Sequence, residues 1–160
     1  MKRITLIFLL IFIIGLFACD VKDKRTLECL SDEIASSPSS YMVMALPENV
    51  FLTESAADGR IGLFSHQDYE ILQEIFTAAD TDAAIRHISG QDLQPILLPD
   101  GSARFSWVSA GENGMLSCSA VLLSDGAYYY SLCIRCPSEL AKIHREEFDD
   151  ILSSAALRKV

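Results

Sequence analysis

The sequence predicts an α+β domain over residues 41–160, an antiparallel sheet covered by helices, and three observations carry that expectation. Beyond Gly90, turn formers at Pro99-Asp100-Gly101, at 111–114 and at Asp125-Gly126 separate apolar runs at 93–98, 103–109, 115–123 and 127–135, the pattern of a four-stranded meander. Before Gly90, two blocks carry apolar residues at helical spacing. After Pro137-Ser138, residues Leu140, Ile143, Phe148, Ile151, Leu152 and Ala155 mark one side of a terminal helix.

In chain order, "YMVMAL" at 41–46 is rich in strand formers and is stopped by Pro47. The runs "VFLT" and "RIGLF" flank the turn-forming "ESAADG" and predict a hairpin. A helix is expected from Ser65, a candidate cap with Asp68 three residues on, through Tyr69, Leu72, Phe76 and Ala79. A second, shorter helix over 81–89 is expected to stop at Gly90.

The chain opens differently. Lys2 and Arg3 precede an almost unbroken apolar stretch at 4–17, which as a helix spans only about 21 Å against a bilayer core of about 30 Å. A basic start, a short apolar middle and a small residue before a break are the parts of a secretory leader. Leu16-Phe17-Ala18-Cys19 resembles the lipobox of bacterial lipoprotein precursors. That resemblance implies cleavage after residue 18 and two or more acyl chains on Cys19, enough for stable attachment. Asp20 resembles the residue that retains enteric lipoproteins in the inner membrane. Residues 19–40 read as a polar tether.

Loss of Lys2 and Arg3 with the leader moves the formal charge from −9 to −11. Such a balance argues against nucleic acid and against attraction to an anionic membrane surface, and it suits a basic protein partner. Export places Cys29, Cys118, Cys133 and Cys136 where disulfides form. A two-residue turn at Asp125-Gly126 sets Cys118 opposite Cys133 in a hairpin, and the odd spacing of Cys133 and Cys136 points them to opposite faces. The expected bridges are therefore Cys118 to Cys133 and Cys29 to Cys136. The alternative is that "CIRCP" is a redox pair, which needs a thiolate at a helix start.

No nucleophile elbow and no phosphate-cradling glycine loop is present, and no cofactor is expected. His144 and Glu147 stand one helical turn apart, but no second histidine lies near them in the sequence. No metal site is expected there; His66 and His87 are isolated. Alternation sends Tyr128 and Tyr130 to one face with Leu132 and Ile134, and Tyr129 to the other with Leu122. There Tyr129 and Trp107 are candidates for a partner-binding surface, with packing in a second layer as the alternative.

The stretches "MALPENV", "DGRIGLFSHQDY" and "YYYSLCIRCPSELAKIHREEFDDILSSAAL" resemble the PsbP-like fold shared by photosystem extrinsic proteins and DcrB-type lipoproteins. The resemblance implies an envelope accessory or binding module and hands over no catalytic residues. The first expectation is a lipid-anchored, periplasm-facing, non-enzymatic protein that docks a protein partner, in the manner of immunity lipoproteins against type VI secretion toxins. A small molecule or lipid held between sheet and terminal helix is the alternative, and thiol–disulfide chemistry the third.

Overall fold

A computed structural model describes residues 37–160; the leader, Cys19, Asp20 and Cys29 lie outside the described residues. Pro38–Val160 forms one compact unit. Among the described residues, nine strands and two helices follow in the order β1 (Ser40–Val43), β2 (Phe51–Ser55), β3 (Ile61–Ser65), β4 (Glu70–Phe76), α1 (Thr81–Ser89), β5 (Ile96–Leu97), β6 (Ala103–Gly111), β7 (Gly114–Ser124), β8 (Tyr129–Pro137), α2 (Arg145–Ser154) and β9 (Ala156–Lys159). Seven strands form one antiparallel sheet in the order β2-β3-β4-β8-β7-β6-β5, and β1 pairs β9 in a separate ribbon. The α+β class expected from the sequence is the class observed, with both the hairpin and the meander in place.

Three elements differ from expectation. Residues 65–79 do not form a helix: Ser65 ends β3, a turn closes through the His66 amide to the Tyr69 carbonyl at 2.9 Å, and β4 follows. This strand pairs with β3 and β8 along its edges, and a core lies against each of its faces. Tyr69, Ile71 and Ile75 pack into one core while Leu72 and Phe76 pack into the other. A strand apolar on both faces loses its alternation, and its residues fall by coincidence at helical spacing. The terminal helix begins at Arg145 rather than at Ser138, because Pro137 still pairs with Leu116 in the sheet and only single turns intervene. It ends at Ser154, where β9 returns along β1.

The third difference is register. The β7–β8 turn spans 125–128 and is closed by the Asp125 amide on the Tyr128 carbonyl, with Gly126 at φ 93°. Asp125 accepts from the Ala127 and Tyr128 amides and from the Tyr130 hydroxyl at 2.7 Å. Burial opposes ionisation of this carboxyl, but those hydrogen bonds prevail and hold it below the usual range. The longer turn pairs Cys118 with Arg135 and Cys133 with Ala120, so the two cysteines stand diagonally on one face rather than opposite.

Two cores result, one on each face. The first joins Ile71, Val121, Tyr130, Leu132 and Ile134 to Phe148, Ile151 and Leu152 of α2. The second joins Phe105, Trp107, Ala120 and Leu122 to Ala84 and Ile85 of α1. Helix α1 is fixed locally, by Asp80 accepting from the Ala83 amide at 2.7 Å and by Gly90 in the left-handed conformation at its end.

Candidate functional site

Alternation along β6 decides where polar chemistry can sit. Ala103, Phe105 and Trp107 face α1 and are buried, so the next residues, Arg104, Ser106 and Val108, are turned to the α2 face. The opposing positions on β7 are Val121, Ser119 and Ser117. Helix α2 covers this face over β8 and β7 but leaves its β6 margin open. Between them runs a groove of about 660 Å³, walled by Phe148 and Leu152 and floored by Ser106, Ser117 and Ser119.

The floor is ordered before any ligand arrives. Ser106 and Ser119 hydroxyls are 3.0 Å apart, and Ser117 donates to Ser138 at 3.4 Å. Arg104 donates through one terminal nitrogen to the Ser153 hydroxyl of α2 at 2.7 Å. Its Nε is buried and meets no acceptor among the described residues. An N–H held out of water without a partner costs roughly 1–3 kcal/mol, more on a charged group, which a carboxylate or phosphate oxygen would recover. Arg145 stands at the rim with Asp149.

A second constellation lies at the start of α2. His144 occupies its N-cap position without capping it through the side chain. Its Nδ1 is 2.9 Å from Glu147 Oε2 and its Nε2 is 3.1 Å from Asp68 Oδ2. The β3–β4 turn brings His66 beside it, ring centroids 5.6 Å apart. The Asp68 amide donates to His66 Nδ1 at 3.1 Å, and the Asn49 amide lies 2.8 Å from His66 Nε2. One ligand atom each from His66, Asp68 and His144 lies within 4.8 Å of the other two. Tyr69, whose buried hydroxyl has Glu147 nearby but no acceptor at hydrogen-bond distance among the described residues, stacks on His66 at 4.3 Å. Desolvation, with Glu147 next, raises its phenol strongly.

The positions singled out in the sequence separate. Trp107 is buried against Phe105, and Tyr129 is half-buried beside Phe76 with its hydroxyl 3.5 Å from Thr81. Both belong to the layer under α1 and not to an open surface. Cys118, Cys133 and Cys136 are buried free thiols, the first two in the α1-side core and the third in the α2-side core, on opposite faces as the spacing required. The facing register that motivated a Cys118 to Cys133 bridge is absent. Cys136 donates weakly to the Asp68 carbonyl at 3.5 Å, and its proposed partner Cys29 lies outside the described residues, as do Cys19 and Asp20. Desolvation pushes Cys133 up to about 11 and also raises Cys136, the reverse of what a thiol-exchange nucleophile needs. Sequence reasoning passed over Arg104, since one arginine in a strand gives no local signal, and judged His66 isolated. The fold shows otherwise.

No family model and no curated protein matches this chain. Among solved structures, LpqN of Mycobacterium tuberculosis, involved in cell envelope biogenesis, overlays with a TM-score of 0.53 at 10% identity, covering 78% of this chain and 87% of that one. A protein of Bacteroides thetaiotaomicron overlays at 0.51 and 14% identity over 78% of this chain and 50% of its own, so this chain spans half its length. The cyanobacterial PsbP (CyanoP) of Synechocystis sp. PCC 6803 overlays at 0.47 and 12% identity, over 78% and 96%. The first two share this fold.

Proposed function

We propose that the chain is an envelope lipoprotein, anchored through Cys19, that binds a small anionic ligand in the groove between α2 and β6. Arg104 carries this reading: it lines the groove beside the serine floor and apolar walls, and its Nε, shut off from water without a partner, gains an acceptor when the side chain turns onto a bound anion. About 660 Å³ lies within the range of small-molecule sites, and a few fixed polar groups on an apolar wall are their usual composition. The lipobox-like segment and the envelope role of LpqN support the compartment. Native mass spectrometry of protein extracted from its host envelope tests the reading. Wild type is expected to carry an anionic species that Arg104→Ala releases, a loss of roughly 10–100-fold in affinity for one charge-assisted bond. Empty wild-type protein, or the same species on Arg104→Ala, would overturn it.

A protein partner is favoured by a different observation. Phe51 and Leu52 on the edge strand β2 are 65% and 57% exposed, beside a chain of net negative charge. Strand addition at this edge by a basic partner, including a toxin delivered by type VI secretion, is the form it would take. Co-purification from the host envelope that survives in wild type and fails in Leu52→Lys would establish it; an unimpeded toxin in the presence of the protein would dispose of the immunity role.

A further inference from the structure

We propose that His66, Asp68 and His144 form a binding site for a divalent transition-metal ion, with Glu147 and Asn49 as the outer partners that orient the two imidazoles. Two nitrogens and one carboxylate oxygen are a borderline donor set, suited to zinc with a fourth position left for water. The three ligand atoms lie within 4.8 Å of one another, and the Asp68 to His144 edge is already 3.1 Å. Donors about 2.0–2.2 Å from a tetrahedral ion sit a little over 3 Å apart, so closure asks only for side-chain movement of the His66 ring. Each histidine is held at its far nitrogen. His144 Nδ1 meets Glu147 at 2.9 Å, leaving Nε2 on Asp68, and His66 Nε2 meets Asn49 at 2.8 Å, leaving Nδ1 on the Asp68 side. The carboxylate behind a ligating imidazole fixes the tautomer and raises the basicity of the ring.

At His66 the Asp68 amide donates to Nδ1 and the Asn49 side-chain nitrogen faces Nε2, so an ion bound at Nδ1 takes the place of the Asp68 amide hydrogen bond. His144 has a carboxylate oxygen at both nitrogens, Glu147 behind Nδ1 and Asp68 beside Nε2, so an ion between His144 Nε2 and Asp68 Oδ2 meets two donors already turned to one point. The site is half-exposed and not sealed: side-chain exposure is 15% at His144 and 30% at Asp68 and Glu147. His66 and Asp68 also line a groove of about 570 Å³ through which an ion can enter.

Zinc titration of the untagged full-length protein in detergent, followed by calorimetry and thermal unfolding, tests the site. A one-to-one exotherm and a rise of roughly 5 °C or more at saturating zinc are expected. His66→Ala and His144→Ala should each abolish both, whereas His87→Ala, which removes the histidine outside the cluster, should leave them intact. Glu147→Gln keeps all three ligands and should weaken binding about 10–100-fold. Cobalt(II) should give visible bands of a tetrahedral nitrogen and oxygen site in wild type and not in His66→Ala. Acidification should lower affinity, because protons compete with the ion for its ligand atoms. Absence of a zinc response in wild type, or its persistence in both His66→Ala and His144→Ala, would overturn the site. A folded His144→Ala that keeps its thermal stability but loses zinc separates ligation from a purely structural role.

Discussion

The two faces of the sheet are built from the same strands and end in different states. On the α1 face, β6 contributes Phe105 and Trp107, which close the layer against Ala84 and Ile85. On the α2 face, the residues on either side of Phe105 are polar: Arg104 reaches α2 only through Ser153, and Ser106 floors a groove. Closure thus follows from which residues alternate inward on the outermost long strand. The candidate site is the part of a face that its helix does not cover.

The largest test of this contrast is truncation at neighbouring positions of β6. Trp107→Ala should cost about 3–5 kcal/mol in urea unfolding, as large aromatic truncations in closed cores do. A cost below about 1 kcal/mol would mean that the α1 layer is not a core.

A smaller effect probes the closed α1 face by pH. Burial pushes Cys133 up to about 11 from the 9.0 of an ordinary thiol. Between those values the unfolded chain has released its proton and the folded chain has not, so stability falls as pH rises. This thiol should account for roughly 2–3 kcal/mol of loss between about pH 9 and about pH 11. The Cys133→Ala variant should lose correspondingly less over that window, measured by urea midpoints at each pH.

Smaller again is the cap of the closing helix. Asp80→Ala removes the acceptor for the Ala83 amide and should cost about 1 kcal/mol by the same measurement. Least of all, Ser106→Ala, adjacent to Trp107 but exposed on the groove floor, should change stability by under about 0.5 kcal/mol. A cost comparable to that at Trp107 would erase the distinction between a closed and an open face.

What the sequence disclosed follows the range of the forces involved. Helix α1 was readable to the residue because Asp80 to Ser89 and Gly90 contain both its ends. Strands β6, β7 and β8 were readable through turn residues and alternation, and so was the division of Tyr129 from Tyr128 and Tyr130. Strand β4 was not, since a core on each side of the sheet puts apolar residues on both its faces. The two-residue β7–β8 turn failed because Asp125 uses its carboxylate to build a longer one. Of the histidine cluster, only the one-turn spacing of His144 and Glu147 was visible locally: Asp68 and His144 meet only when the β3–β4 turn and the start of α2 are brought together by the finished sheet.

The ribbon of β1 and β9 has a consequence for the order of assembly. Ser40 pairs with Lys159, and the Val160 amide donates to the Ser39 carbonyl. The first described strand therefore has no partner until the last has been synthesised, and closing so long a loop costs entropy before any contact rewards it. Every meander and hairpin bond can form earlier. Among the described strands, this clasp is therefore the last pairing that a growing chain can complete.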